Sequence, residues 1–162
     1  MIKHEFITNY VSSPYKNKLF RIIIYFIFWK FINDIDDFRV IIEHSDIQYV
    51  RLHAINQLKI LLGYKDVIID EEKLINDIAD RILSDTKCLD MTIWHCKTSH
   101  CLAGWACELN PIAKEIEQKE GLYKPTYIAG CIALPNYSHL FFKTDKEVLL
   151  TLNKLCGNHL KK

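Results

Sequence analysis

The sequence lacks an excess of charge of either sign and has few glycines and prolines. Its formal net charge of +1 is the sum of 21 basic and 20 acidic residues, which are interspersed along the chain. Because no basic patch or arm is present, we expect no nucleic-acid partner. Five glycines and four prolines leave no linker or low-complexity segment. We therefore expect a single domain, residues 1–162, in which 44–157 carries the clearest signals and 1–43 forms an N-terminal helical extension or a core helix.

A second absence is an apolar run long enough to cross a membrane. The longest such run is Ile22–Trp29, eight residues bracketed by Arg21 and Lys30. A bilayer span needs about 20 predominantly apolar residues. We therefore expect no transmembrane span. Residues 19–32 are interpreted as a buried core helix, with contact to a membrane surface as the alternative.

The N-terminal part also lacks the features of a secretory signal peptide. Its first apolar stretch begins at Leu19, is interrupted by Arg21 and has no small-residue cleavage site after it. The six cysteines could form disulfides if the chain were secreted. Since the signal is missing and an apolar content of 49% suffices for a core, we expect free thiols in a reducing, cytoplasmic compartment.

Helix start signals and apolar helix faces recur along most of the chain. Four caps are predicted: the capping box Ser45–Gln48, Asp70, the pair Asn110-Pro111 and the capping box Thr144–Glu147. A further helix is expected at 126–134, and the best strand candidate is Tyr137–Phe142. The predicted fold is mainly α, a compact multi-helix single domain with at most a small β element near 137–142. Its core should include Leu58, Ile78, Ile82, Trp94, Trp105, Leu149 and Leu152.

The densest chemical feature is the fourteen-residue motif Trp94–Cys107, which contains three cysteines, two histidines and two of the three tryptophans. Thr98 or Ser99 is predicted to cap a helix, which places Cys101 in the first turn. The positive end of a helix dipole favours a thiolate and lowers the pKa of a thiol. Cys101 is therefore predicted to be the most thiolate-prone cysteine of the chain.

The order Trp94-His95-Cys96, Thr98, His100-Cys101 and Ala103-Gly104-Trp105 resembles the signature of a small domain family found in bacteria and phages. That signature reads Trp-His-Cys-x-Thr-x-His-Cys-x-Ala-Gly-Trp, and copies can occur near pentapeptide-repeat segments, of which this chain has none. The likeness covers about residues 70–156. The resemblance implies a shared fold and a bacterial or phage source. It implies no particular reaction, because the family has no assigned activity.

One interpretation of the motif is a thiol nucleophile. Cys101 would attack a carbonyl carbon, His139 at the start of the predicted strand would act as the base, and Asp145 or Asn136 would orient that histidine. This order along the chain suits a cysteine-dependent hydrolase or transferase. Under this interpretation, the catalytic residues are Cys101, His139 and Asp145.

A second interpretation is a Cys/His metal-binding module. The core ligand set would be Cys96, His100 and Cys101, with His95 and Cys107 as further candidates. Zinc motifs usually contain two separated ligand pairs, and the second pair is missing. A complete site would need a distant ligand, for which the candidates are Cys88, Cys131 and His139. We therefore expect no bound metal and no cofactor.

Two interpretations remain for the same residues. Cys96 and Cys101 could form a redox pair, although the Cys-x-x-Cys spacing of thiol oxidoreductases is missing. In the structural interpretation, Trp94 and Trp105 anchor the core and the histidines hydrogen-bond backbone carbonyls. The chain would then be a small helical module that binds a protein partner. This structural or interaction module is the leading hypothesis, and the cysteine enzyme and the metal-binding module are its alternatives.

Overall fold

A computed structural model describes residues 35–93, 99–119 and 125–159, with side chains as far as Cys156. The segment 19–32 and the motif residues 94–98 lie outside the described residues. The chain falls into two compact units, 1–67 and 68–162. The single domain stays a prediction.

The described part of the first unit is a pair of packed helices, α1 (Ile35–His44) and α2 (Gln48–Leu61). The buried apolar residues recur at helical spacing, as expected for two helices that each bury one face. They include Phe38, Ile41, Ile42, Ala54, Ile55 and Leu58.

The capping box predicted at the start of α2 is wrong. The N-cap of α2 is Ile47, which has no side-chain cap. Ser45 lies two residues earlier, where its Oγ accepts a hydrogen bond from the Ile47 amide at 3.3 Å. The Ser45 carbonyl accepts a second bond from the buried guanidinium of Arg51 at 2.8 Å. Ser45 therefore stabilises the turn before α2 rather than its first N–H groups.

Helix α2 ends at a glycine in the left-handed conformation. Gly63 has a φ of 81°, a conformation that favours glycine. Its amide donates to the Ile60 carbonyl at 3.1 Å, and the Tyr64 amide donates to the Lys59 carbonyl at 2.7 Å. These two bonds form a Schellman motif, which satisfies carbonyls that the helix leaves without partners.

The second unit is mainly helical in its described residues. Its helices are α3 (Glu71–Ser84), α4 (Leu102–Leu109), α5 (Pro111–Lys119), α6 (Pro125–Ala133) and α7 (Asp145–His159), with short 3-10 helices at Thr86–Cys88 and Pro135–Leu140. The predicted mainly α fold is thus confirmed. None of the helices in the described part of the chain is both long and apolar enough to cross a membrane.

Three predicted caps in this unit are confirmed. The carboxylate of Asp70 and the amide oxygen of Asn110 each accept the backbone N–H three residues ahead, at 2.9 and 3.0 Å. Thr144 and Glu147 form the reciprocal capping box, in which the Thr144 amide donates to Glu147 at 2.9 Å and the Glu147 amide donates to the Thr144 hydroxyl at 3.4 Å. These hydrogen bonds also hold the pKa of Glu147 below its ordinary value.

The strand predicted at Tyr137–Phe142 is wrong. The 3-10 helix Pro135–Leu140 occupies most of this segment, and a turn follows it. Pro135 supplies the fixed φ of a helical first position, and the Ser138 hydroxyl donates to the Pro135 carbonyl at 2.8 Å. A short apolar run is compatible with either a strand or a buried helical turn, and Pro135 at its start favours the helical turn here.

The core of the second unit contains α4, in which Leu102 to Cys107 are all buried. Its small residues allow α6 to approach closely. A Cβ atom built on Gly130 of α6 would lie 2.7 Å from Cβ of Ala103 and 3.0 Å from its Cα. One turn along α4, the thiol of Cys107 lies 3.8 Å from the Thr126 carbonyl.

Most of the predicted core is confirmed. The exception among the described residues is Leu149, which is only partly buried because Val148 and Leu152 occupy the buried face of α7. The predicted residues that are buried are Leu58, Ile78, Ile82, Trp105 and Leu152. Trp94 lies outside the described residues.

The contact between α4 and α6 yields a stability prediction. Gly130→Ala should lower the free energy of unfolding by about 1–3 kcal/mol, because the added methyl group overlaps backbone and Cβ atoms that cannot easily move. Ala103→Gly removes the opposing Cβ, so the double variant should recover part of that loss. Urea denaturation followed by circular dichroism measures the cycle. Strictly additive effects, or a Gly130→Ala variant as stable as the wild type, would contradict the close contact.

Candidate functional site

The candidate site is the start of α4, where the described part of the motif begins at Ser99. The predicted cap at Thr98 or Ser99 is wrong. Cys101 is the N-cap, and its sulfur accepts the backbone N–H of Gly104 at 3.4 Å. A cap must have extended backbone dihedrals just before the first helical residue. Cys101, with φ of -71° and ψ of 174°, meets that requirement.

The expected thiolate character of Cys101 is also wrong. Its residue surface is 2% exposed, and burial raises the pKa of the thiol to about 11 even though backbone N–H groups act in the opposite direction. A helix dipole stabilises a nearby exposed charge by about 0.3–1 kcal/mol, whereas moving an ion out of water costs several kcal/mol. Desolvation therefore exceeds the effect of the helix start, and the thiol is held neutral.

Backbone hydrogen bonds close the loop that leads into α4. Leu89 and His100 form an isolated parallel bridge. The Asp90 amide donates to the His100 carbonyl at 3.2 Å, and the His100 amide donates to the Cys88 carbonyl at 3.0 Å. The Cys101 amide reaches the Ile93 carbonyl at 3.1 Å. Residues on both sides of the undescribed 94–98 are therefore joined at the base of the loop.

Trp105 anchors this base to the core. Its indole N–H donates to the Cys88 carbonyl at 3.1 Å. The His100 ring lies edge-on to the indole with centroids 4.7 Å apart, and the Arg81 guanidinium lies 5.4 Å from the indole centroid. The ring therefore contributes apolar burial, a satisfied hydrogen bond and a cation–π contact at one place. This geometry matches the core-anchor role predicted for Trp105.

The structure places the other two predicted catalytic residues in exposed positions. His139 lies in the 3-10 helix rather than at the start of a strand, with its Nδ1 3.0 Å from the Asn136 carbonyl. Asp145 is the first residue of α7, and its carboxylate accepts the Met91 amide at 2.8 Å. The sulfur of Met91 in turn lies 3.3 Å from the Leu102 amide. Asp145 is thus connected to the start of α4 through the loop, and the catalytic assignment of Cys101, His139 and Asp145 stays a prediction.

Metal ligation was predicted only conditionally, and it stays a prediction. Within 35–93, 99–119 and 125–159, no group of three or more Cys, His, Asp or Glu side chains is arranged to hold a metal ion. Cys96, one of the three conditional ligands, lies outside those ranges. The five described cysteines are not joined in disulfides: Cys88, Cys101, Cys107, Cys131 and Cys156.

A shallow apolar pocket lies beside the loop and was not predicted from the sequence. The pocket has a volume of about 290 Å³, and its lining includes Met91, Ile93, Phe141 and Phe142. Phe142 is 48% exposed, and its ring centroid lies 5.3 Å from that of Tyr127. The only sequence signal was the pair of adjacent phenylalanines, which had been assigned to a strand.

Comparison with protein-family models, curated proteins and solved structures finds no match to this chain. The resemblance to the bacterial and phage signature therefore stays a prediction.

The bond between Asp145 and the loop can be tested directly. Asp145→Ala should remove the acceptor for the Met91 amide, so hydrogen exchange of that amide should become roughly fivefold faster, the equivalent of about 1 kcal/mol. Asp145→Asn retains an acceptor oxygen and should preserve the protection. Site-resolved hydrogen exchange by NMR provides the measurement. Equal Met91 exchange in the wild type and in Asp145→Ala would rule out this loop contact.

Proposed function

We propose that this chain is a helical interaction module in which the cysteine and tryptophan motif serves packing rather than chemistry. The main support for the proposal is the burial and hydrogen bonding of Cys101. Its sulfur is enclosed, accepts a backbone N–H and has a pKa raised to about 11. A cysteine nucleophile needs an accessible thiolate, and these properties oppose one.

The environment of the motif supports a packing role. Ala103 lies against α6, Trp105 is bonded to the Cys88 carbonyl, and Cys107 is buried against Thr126. Burial raises the pKa of the Cys107 thiol even more strongly than that of Cys101. The described half of the motif therefore acts as a structural element that fixes α4 and the loop before it.

The apolar pocket supplies a surface for the proposed protein partner. The half-exposed Phe142 ring and the neighbouring side chains of Met91 and Ile93 offer a concave surface that can accept a side chain from a partner. Thr92 and Lys143 at the edge of the pocket add polar groups that can orient such a contact. We therefore assign the partner-binding role to the surface formed by Met91, Ile93, Phe141 and Phe142.

The leading alternative is a cysteine-dependent hydrolase or transferase. One observation favours it: the Cys101 sulfur lies at a helix start and already accepts a backbone N–H. The enzyme hypothesis requires a second conformation in which that sulfur becomes accessible and its pKa falls. Thiol reactivity therefore distinguishes the two hypotheses.

Alkylation of the native protein should leave Cys101 unmodified near neutral pH. A thiol with a pKa of about 11 holds about a hundredfold less thiolate at pH 8 than one at the ordinary 9.0, and burial also blocks the reagent. Cys156, which is less buried, serves as the internal reference. The measurement is iodoacetamide labelling across a pH series, with sites identified by mass spectrometry in a Cys96→Ser background. Denatured protein should label at both positions.

A Cys101 thiol that reacts near pH 7 faster than Cys156 would overturn the proposal. That outcome would require a low-pKa, accessible sulfur and would favour the enzyme hypothesis. Labelling of Cys101 only at the rate of global unfolding would support the packing role.

The binding role of the apolar pocket has a separate test. Peptides selected from a random displayed library on the native protein should include a class whose affinity falls at least about tenfold in Phe142→Asp, because the ring forms one wall of the pocket. Leu150→Asp is the matched control, since Leu150 is an apolar residue of α7 with a similar exposure of 53%. Fluorescence anisotropy measures both. Equal effects of the two variants would contradict the assignment of this surface.

A further inference from the structure

A second pocket of the same unit is lined by acidic, amide and apolar groups. It lies where the start of α3, the 3-10 helix Pro135–Leu140 and the later part of α7 meet, and its volume is about 430 Å³. The apolar lining residues are Leu155, which is partly buried, and Ile75, which is only 1% exposed, while Glu71 and Glu72 supply two carboxylates. Asn76, Asn136 and Tyr137 complete the lining, which contains no basic side chain.

One of the two carboxylates is held rigidly. Glu71 accepts the backbone N–H of Asn136 on one oxygen and the Asn136 side-chain amide on the other, both at 2.7 Å. This two-point contact fixes the acidic wall of the pocket and joins α3 to the 3-10 helix. The negative charge of Glu71 is not neutralised by it, because both donors belong to neutral groups.

Glu72, the second glutamate of the pocket lining, adds a further negative charge. Burial raises the pKa of the Tyr137 hydroxyl, and the negative charges of Glu71 and Glu72 raise it further. Both glutamates belong to the lining of the pocket, and Glu72 is exposed to solvent there. The nearest basic residue of the same helix turn, Lys73, is engaged by Asp77 with its Nζ 2.6 Å from the carboxylate.

We propose that this pocket binds the side chain of a lysine or arginine that belongs to a protein partner. The alkyl stem of such a residue would lie on Leu155, and its cationic end would donate to the Glu72 carboxylate and the Asn76 amide oxygen. A metal ion fits less well, because two carboxylates fall short of the six to eight oxygen ligands of a calcium site. The proposal rests on the interaction module proposed above and specifies one chemical feature of the partner.

The test uses small probes in place of the partner. The full chain is titrated with n-butylguanidinium and n-butylammonium, and methyl resonances of Ile75 and Leu155 are followed by NMR. Saturable shifts are expected with both cations and not with the neutral n-butanol. Glu72→Gln should weaken cation binding about tenfold. Glu115→Gln is the control, since it removes the same charge from an exposed ion pair on α5 and should leave binding unchanged.

The source of the cation is tested with two further ligands. An acetyl-Gly-Arg-Gly-amide peptide should bind at least as well as free arginine, because the side chain of a protein segment carries no free α-carboxylate. Tighter binding of free arginine would indicate a small-molecule site and would overturn the proposal. Equal shifts with n-butanol, or equal losses in Glu72→Gln and Glu115→Gln, would overturn it as well. The interaction module itself would survive either result, since it depends on Cys101 labelling and on Phe142.

Discussion

The close approach of α4 to α6 is the contact on which the rest of the second unit depends. Ala103 and Gly130 lie so near each other that a single added Cβ would overlap. Because α4 is buried from its N-cap to Cys107, its position determines where the preceding loop can run. The indole of Trp105, fixed on the same helix, then holds the Cys88 carbonyl. The small residues thus allow the two helices to approach closely, and the Trp105 indole fixes the base of the loop through its hydrogen bond to the Cys88 carbonyl.

Competition between burial and the helix dipole explains the chemistry of Cys101. A cysteine near a helix start predicts a reactive thiolate. The helix start itself lies at Cys101, less than one turn after the cap predicted at Thr98 or Ser99. The N-cap position alone does not suppress reactivity, since N–H groups there favour a thiolate. Suppression comes from the packing of α4, which leaves Cys101 only 2% exposed and raises the pKa of its thiol to about 11. A property of the tertiary structure therefore reverses the direction expected from local sequence.

The difference between local and tertiary causes also separates the correct from the incorrect sequence predictions elsewhere in the chain. The caps at Asp70, Asn110 and Thr144 are confirmed, because each depends on hydrogen bonds within three residues. Ser45 does not cap α2, because its hydroxyl accepts the Ile47 amide and its carbonyl accepts the buried Arg51 guanidinium. The contact with Arg51 is one that cap patterns do not encode. The 137–142 strand failed because a short apolar run has no distinctive period. Neither pocket could be predicted, since each combines residues that are distant in sequence.

Asp145 illustrates how a chemically suggestive residue can serve the fold. Its place within the capping box Thr144–Glu147 and downstream of His139 suits the orienting acid of a catalytic triad. In the structure its carboxylate instead accepts the Met91 amide across 54 positions of sequence. Met91 is at once a wall of the apolar pocket and, through its sulfur, a neighbour of the Leu102 amide at the start of α4. The Asp145 carboxylate therefore holds a loop residue that contacts both the proposed partner-binding surface and the start of the buried α4.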